Sequence, residues 1–383
     1  MKKLLWGILC AVLLFCPTIT ASAGKEKAPE VFVNGQKVIF KDVSPTIING
    51  RTMIPIRKVS EVIGEAKIEY NNGNIKINNG VNYVSMNIGN KQVVKNGKSI
   101  TIDVAPLLVK ERTMVPVRFI SEALDAKVGW NNQTYIVSIN TETSIPVLMY
   151  HHFSEKIVDG NTTIKPSEFK EHLQYLKKNG FSTISVSDLM AYKEGTASLP
   201  ENPVLITLDD GYLSNYQYAF PVLKELKMKA TIFIVTQDVG NTTLLNPHFN
   251  WVQAREMEKS GFVDIQSHTN YSHYKVGKHA ALSSPMNGET HIQFKNRVRK
   301  DLITSRDLIR RNLGKTSLAL AYPYGSYSGS TLKIAKEVGF KMAFTVKKGH
   351  VYKQSPQFEL DRINIPQGMS GEEVVQLIED CAY

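Results

Sequence analysis

Cysteine is scarce in this chain: among 383 residues only Cys10, Cys16 and Cys381 carry a thiol. Two of them lie in the first sixteen residues, so the remainder has no partner for an internal disulfide and takes no stability from an oxidising compartment. No apolar run approaches the ~20 residues that span a bilayer; Leu4 to Phe15 is only about a dozen long. Low-complexity tracts are missing, and so is any nucleic-acid-binding motif. The composition, 42% apolar and 21% charged, is that of a globular protein. Its length suggests two domains, because single cores stop growing near ~250–300 residues.

The first residues read as an export signal. Lys2 and Lys3 supply the charged start, Leu4 to Phe15 the apolar stretch, and Ala21-Ser22-Ala23 the small-residue cleavage site, giving a signal over 1–23. A retained membrane anchor is the competing reading, and the short apolar run argues against it. A lipid-modified cysteine needs a small residue before it, whereas Leu9 and Phe15 precede Cys10 and Cys16. The net charge of +11 loses two units with Lys2 and Lys3. A basic exported protein can adhere to anionic cell-wall polymers; solubility alone is the plainer reading. Export also removes the usual route to nucleic acid.

Residues 30–140 contain a duplication. "SPTIINGRTMIPIRKVSEVIGEAKIEYNN" from Ser44 matches "APLLVKERTMVPVRFISEALDAKVGWNN" from Ala105, and Asn34-Gly35 and Asn96-Gly97 mark corresponding hairpin turns upstream. Each unit predicts a hairpin, the stretch RTM(I/V)P(I/V)R, a short amphipathic helix and a further strand. The helices carry Val59, Val62 and Ile63 in one unit and Phe119, Ile120, Ala123 and Leu124 in the other. Two such α+β units, stacked or intertwined, would share one core. This segment resembles the stalk domain at the N-terminus of copper amine oxidases, without the large domain that carries the oxidase chemistry. Arg51, Arg57, Arg112 and Arg118 are read as making structural hydrogen bonds within each repeat, the alternative being an anionic ligand.

"NTETS", residues 140–144, reads as a polar linker. From residue 145 to 383 strand-length apolar runs alternate with helical stretches, the pattern of a parallel β/α fold, open or closed into a barrel. Chemistry in such folds collects at the C-terminal ends of the strands. "IPVLMY" runs into His151-His152, "PVLITL" into Asp209-Asp210-Gly211, "FVDIQS" into His268 and His273, and "SLALAY" into Pro323-Tyr324-Gly325. Adjacent aspartates on an extended chain point to opposite sides, so the two would have different roles. Asp210 with His268 and His273 forms a ligand set suited to Zn²⁺ or another divalent ion, Co, Ni and Mn included. Asp209 could then act as base, a histidine as acid, and the 323–325 turn as an oxyanion donor. These parts suit hydrolysis of an amide or ester.

The same residues resemble the polysaccharide deacetylases of carbohydrate esterase family 4. "LITLDDGY" is similar to the first motif of that family, "SHTNYSH" to the second and "AYPYGSY" to the third. The H-T-x-x-x-H spacing, and the Y-H in "VLMYHHF", resemble the branch acting on poly-β-1,6-N-acetylglucosamine. The resemblance implies a distorted (β/α) barrel, Asp209 as base, His151 as acid, and metal ligands Asp210, His268 and His273. It also implies an oxyanion contact from the Tyr324 backbone. Most members carry an Arg two residues before the motif-three Pro, where this chain has Ala321; Arg362 in "LDRINI" is the candidate replacement. The implied partner is an N-acetylglucosamine-containing polysaccharide outside a Gram-positive cell, secreted or held at the wall. Peptidoglycan or chitin oligomers, acetylated xylan, and a non-catalytic wall-binding protein remain alternatives. Of the other histidines, His172, His279, His291 and His350 are read as solvated, and His152 as either binding substrate or merely flanking the acid. The insertion Tyr274–Gln293 is read as a lid or a disordered excursion.

Overall fold

The structure is a computed structural model that describes residues 28–58, 63, 66–141, 143–156 and 159–381. The expected signal, and Val59 and Val62 of the first repeat's helix, lie outside the described residues.

In the N-terminal module the two repeats exchange strands. The first hairpin, Glu30–Val33 and Gln36–Lys37, joins Lys127–Asn131 and Ile136–Asn140 of the second repeat in one sheet. Glu30–Val33 runs parallel to Ile136–Asn140, so the two ends of the module are tied together. The second repeat's hairpin, Gln92–Lys95 and Lys98–Thr101, extends the sheet of Lys67–Asn71, Asn74–Asn78 and Tyr83–Asn87. At the centre Arg51–Pro55 pairs antiparallel with Arg112–Pro116, with Ile54 opposite Val115. Both residues are fully buried in a core drawn from the two repeats, and the units are intertwined.

Of the arginines expected to bond within each repeat, Arg118 does so, to Val128 O at 3.3 Å and Glu122 at 3.5 Å, whereas Arg51 and Arg112 bond between the repeats. Arg51 Nε and Nη2 donate to Asp103 at 2.9 and 2.6 Å, and Arg112 Nε and Nη2 donate to Asp42 at 3.2 and 2.9 Å. The duplication makes the pairs reciprocal, each repeat lending its Arg to the other's Asp.

The second module is built on six parallel strands: β1 (Ile145–Tyr150), β2 (Pro203–Leu208), β3 (Ala230–Ile234), β4 (Val263–Ser267), β5 (Ala319–Ala321) and β6 (Met342–Phe344). They lie in the order β6-β5-β4-β3-β2-β1. Every residue of β1, β2 and β3 is buried, as continuous apolar runs covered on both faces require. Beyond β6 the chain turns back at Leu360–Ile365. Thr345 N donates to Leu360 O at 2.8 Å, Ile363 pairs with Leu148, and Ile365 N donates to Met149 O at 3.1 Å. This short segment lies between β6 and β1 and closes the curved sheet.

Two helices bear on the site. In α1 (Pro166–Lys178), Phe169, Leu173 and Leu176 are buried at helical spacing, and Glu168 accepts from Lys165 N at 2.9 Å. In α2 (His291–Leu313) a Thr290 cap starts the helix and left-handed Gly314 ends it. Its buried stripe is Phe294, Val298, Asp301, Leu302, Ser305 and Ile309. Ile303 is 43% exposed, while an acid and a serine, Asp301 and Ser305, lie on the buried face. The 274–293 insertion is packed: Leu282 is fully buried, and Glu289 pairs with Arg297 of α2 at 2.8 Å.

The Arg51–Asp103 and Arg112–Asp42 pairs are largely exposed to solvent, so Arg51→Ala or Arg112→Ala should each lower unfolding free energy by at most about 1 kcal/mol. Denaturant titration checks this. Equal unfolding with loss of binding to a polyanion would instead favour the ligand-binding alternative.

Candidate active site

Asp209 follows the last residue of β2, and its N–H donates to Tyr150 O at 2.9 Å, which fixes it against the end of β1. Its carboxylate is buried and receives a two-pronged contact from Arg362, Nη1 to Oδ1 at 2.7 Å and Nη2 to Oδ2 at 2.8 Å. Arg362 is itself fully buried in the closing segment. Its Nε donates to Thr345 O at 2.7 Å and its Nη1 also reaches Thr207 Oγ1 at 3.3 Å. Planar guanidinium matches carboxylate in this way, and a lysine could not. Burial alone would raise the Asp209 carboxyl; the Arg362 charge and nearby His268 outweigh it and hold the pKa below the usual carboxylate range.

The two aspartates do not splay. Asp210 has φ +76° and Gly211 φ +85°, so the chain leaves the extended conformation immediately after Asp209. A side chain at position 211 would put its Cβ 2.9 Å from Ile234 Cγ2, so the turn requires glycine. Both carboxylates consequently approach the same imidazole: His268 Nε2 is 3.5 Å from Asp210 Oδ1 and 3.9 Å from Asp209 Oδ2. His273 Nε2 is 3.1 Å from Asp210 Oδ1.

His268 directly follows β4, with its N–H on Ile234 O at 2.8 Å. Its Nδ1 lies 2.8 Å from Ala321 O, so a proton on Nδ1 leaves Nε2 free as a lone-pair donor. The position where most relatives of this motif carry Arg therefore still shapes the site, through its carbonyl. Burial lowers the His268 pKa to about 4. Burial opposes charge on His273 as well, but contact with Asp210 raises it. For Asp210, burial is outweighed by His273, His151 and His268, and its pKa is lowered.

Among the described residues, Asp210, His268 and His273 each offer one ligand atom, all within 4.8 Å of one another. Asp210 Oδ1 is buried, without a well-formed hydrogen bond, and faces both Nε2 atoms. An orphaned carboxylate oxygen between two imidazole nitrogens fits a divalent cation.

His151 follows β1, its carbonyl accepting from Asn215 Nδ2 at 2.7 Å. Its Nδ1 is buried without a partner, and it lies close enough to both aspartates for a protonated imidazole there to favour their ionised forms. Tyr324 has φ +58° inside the Pro323–Gly325 turn. Its ring lies 4.9 Å from that of His273 and carries Lys275 Nζ 4.3 Å from its centroid. Gly325 (φ +66°) is required because a Cβ there would fall 2.8 Å from Val346 N.

The structure adds side chains that sequence reasoning missed. Tyr212 lies between His152 and His248, at ring distances of 5.1 and 5.0 Å, and bonds to Asp210. His152 is held by Ser214 Oγ at 2.9 Å. Tyr212 directly follows the Asp-Asp-Gly turn, which was a usable signal; His248 lies near the end of the loop before the helix Trp251–Lys259, with no motif around it. Two histidines read as solvated are buried. His172 Nε2 bonds Met369 O at 2.8 Å and its Nδ1 lies 3.4 Å from Tyr150 Oη, and His350 Nε2 bonds Ile378 O at 2.9 Å. Both satisfy carbonyls from the C-terminal segment. His279 and His291 are exposed.

Arg362→Ala should cost about 3–5 kcal/mol at neutral pH, because it strands a buried carboxylate. The depressed Asp209 pKa contributes stability that is present above the unfolded value of about 3.9 and lost as pH falls through the folded value. In the variant Asp209 can take up a proton instead, so the gap to wild type should narrow on acidification. Chemical denaturation at a series of pH values measures it.

Both modules match known families. Residues 32–139 match the family model of the copper amine oxidase N-terminal domain, and residues 196–343 that of polysaccharide deacetylase. YxkH of Bacillus subtilis (strain 168), whose name assigns it to the polysaccharide deacetylases, is 32% identical over 63% of this chain and 79% of its own. The poly-β-1,6-N-acetyl-D-glucosamine N-deacetylase of Escherichia coli (strain K12) is 25% identical over 67% of this chain, which spans only 40% of that protein. The solved structure of IcaB from Ammonifex degensii superposes with a TM-score of 0.55 and 27% identity, over 62% of this chain and 97% of that one. On the identity and coverage shared with YxkH, the chain belongs to the polysaccharide deacetylases and is a hydrolase.

Proposed function

We propose that the protein is a metal-dependent N-deacetylase that removes acetyl groups from an extracellular polymer of N-acetylglucosamine, of the poly-β-1,6-linked kind. The observation that carries the reading is the buried Asp209–Arg362 pair set beside the Asp210, His268 and His273 ligand atoms. The substrate class is supported by the name of the E. coli relative and by the spacing of His268 and His273.

A divalent ion, most simply Zn²⁺ though Co²⁺, Ni²⁺ or Mn²⁺ suit the same donors, would supply Lewis acidity toward the acetamide carbonyl and the attacking water. Asp209 takes the proton from that water. Arg362 is the positioning group that keeps Asp209 ionised and fixes its carboxylate plane. The Tyr324 N–H donates to the oxyanion as it develops, presented by a left-handed turn that is stored strain at a functional position. His151, across the site, gives a proton to the departing amine. Outside the site, residues 1–23 direct export, and the intertwined module of residues 30–140 spaces the enzyme at the wall or in the matrix.

Acetate release from poly-β-1,6-N-acetylglucosamine, peptidoglycan and acetylated xylan, each with and without chelator, tests the proposal. Chelation should abolish release from the first polymer and Zn²⁺ or Co²⁺ should restore it. Asp209→Asn should keep the metal while losing about 10²–10⁴-fold in kcat. Full activity in that variant, or in chelated protein, would refute the mechanism; preference for another polymer would refute the substrate.

A further inference from the structure

His268 and His273 are joined by the excursion Thr269–Ser272, and what holds it is not on either strand end. On one side, Thr236 N donates to Thr269 O and Gln237 N to Asn270 O, each at 3.1 Å. Thr236 Oγ1 also donates to Asn270 Oδ1 at 2.9 Å. On the other side stands Asp301, buried on the apolar stripe of α2. Asp301 Oδ1 accepts from Asn270 N at 3.0 Å and Oδ2 from Tyr271 N at 2.7 Å. Both the backbone N–H and the hydroxyl of Ser272 add to the same carboxylate. One turn along, Ser305 Oγ meets Ser267 Oγ at 2.7 Å, so one face of α2 holds the excursion and the strand residue before it.

The excursion turns on Thr269, whose φ is +77°. It has no helix or sheet of its own to satisfy its amides. Without an acceptor those part-buried N–H groups would be left unsatisfied, which disfavours the folded excursion. A carboxylate suits the site for a countable reason: it is all acceptor, with room for about four donors. Asparagine of the same shape would turn an amide N–H₂ against a backbone N–H. No lysine or arginine is bonded to Asp301 among the described residues; burial raises its pKa, and these donors offset that only in part.

We propose that Asp301 is a positioning residue for the metal centre: it clamps the 269–272 excursion so that His273 meets Asp210 and His268. This rests on reading those three residues as metal ligands. Outer groups that fix ligands in this way typically change metal affinity by about 10–100-fold.

The test uses the full chain, stripped of metal and titrated with Zn²⁺ against a competing chelator. Asp301→Asn should bind Zn²⁺ about 10–100-fold more weakly than wild type. Leu302→Ala, which opens a cavity in the same helix without touching the excursion, should lower the thermal midpoint yet leave Zn²⁺ affinity within about twofold. If Asp301→Asn binds as wild type does, or if Leu302→Ala weakens binding equally, Asp301 has no positioning role. If wild type itself binds no Zn²⁺, the metal reading fails instead. Should Asp301→Asn not fold, amide exchange in wild type decides: slow exchange at Asn270 and Tyr271 is expected, and rapid exchange overturns the clamp.

Discussion

The buried contact between Arg362 and Asp209 is the constraint around which the second module is arranged. Neither group is tolerable alone at that depth, since an unpaired charge would cost several kcal/mol. The arginine comes from the short segment that closes the sheet between β6 and β1. Closing the fold and ionising the proposed base are therefore one event. That segment is held by few backbone hydrogen bonds, and the guanidinium adds contacts to Thr345 O, Thr207 Oγ1 and both oxygens of Asp209. The pair thus links β2, β6 and the closing strand at a single point.

Around this pair the rim is made by chain reversals more than by strands. Asp210, Thr269 and Tyr324 all have left-handed φ, unfavourable for residues with side chains. Each reversal redirects the chain: the Asp210 carboxylate toward His268, the excursion toward His273, and the Tyr324 ring toward that of His273. Such conformations persist only where neighbours over-determine them. Gly211 against Ile234 and Gly325 against Val346 do so by close packing, and α2 does so at the excursion by hydrogen bonding. The N-terminal module reaches rigidity by another route, each repeat completing the sheet and the ion pair of its twin.

Much of the site was legible because chemistry in a parallel sheet collects where strands end, and the apolar runs mark those ends. His151, Asp209, Asp210, His268, His273 and Tyr324 all follow such runs, and the structure brings them to one place. Arg362 was legible through a gap, the Ala321 that stands where the resembling family usually has Arg. What escaped was carried by conformation and packing. The extended-chain rule predicted splayed aspartates, and a left-handed turn at Asp210 overrode it. Asp301 and His172 look like solvated polar residues on amphipathic helices, yet each is buried to satisfy backbone groups from a segment distant in sequence. His248 has no local motif and enters only through a loop that packs on Tyr212. Periodicity reports which face is buried on average; it does not report which polar group on that face has found a partner.

In the proposed mechanism one divalent ion is held by Asp210, His268 and His273 while Asp209 stays outside its coordination, reserved by Arg362. Anomalous diffraction at the zinc edge, from crystals of the chain grown with Zn²⁺, tests it most directly. A single strong peak is expected at bonding distance from one Asp210 oxygen and both imidazole Nε2 atoms, with the Arg362 contact to Asp209 intact. A peak ligated by Asp209, or zinc bound elsewhere with these three residues unengaged, would contradict it.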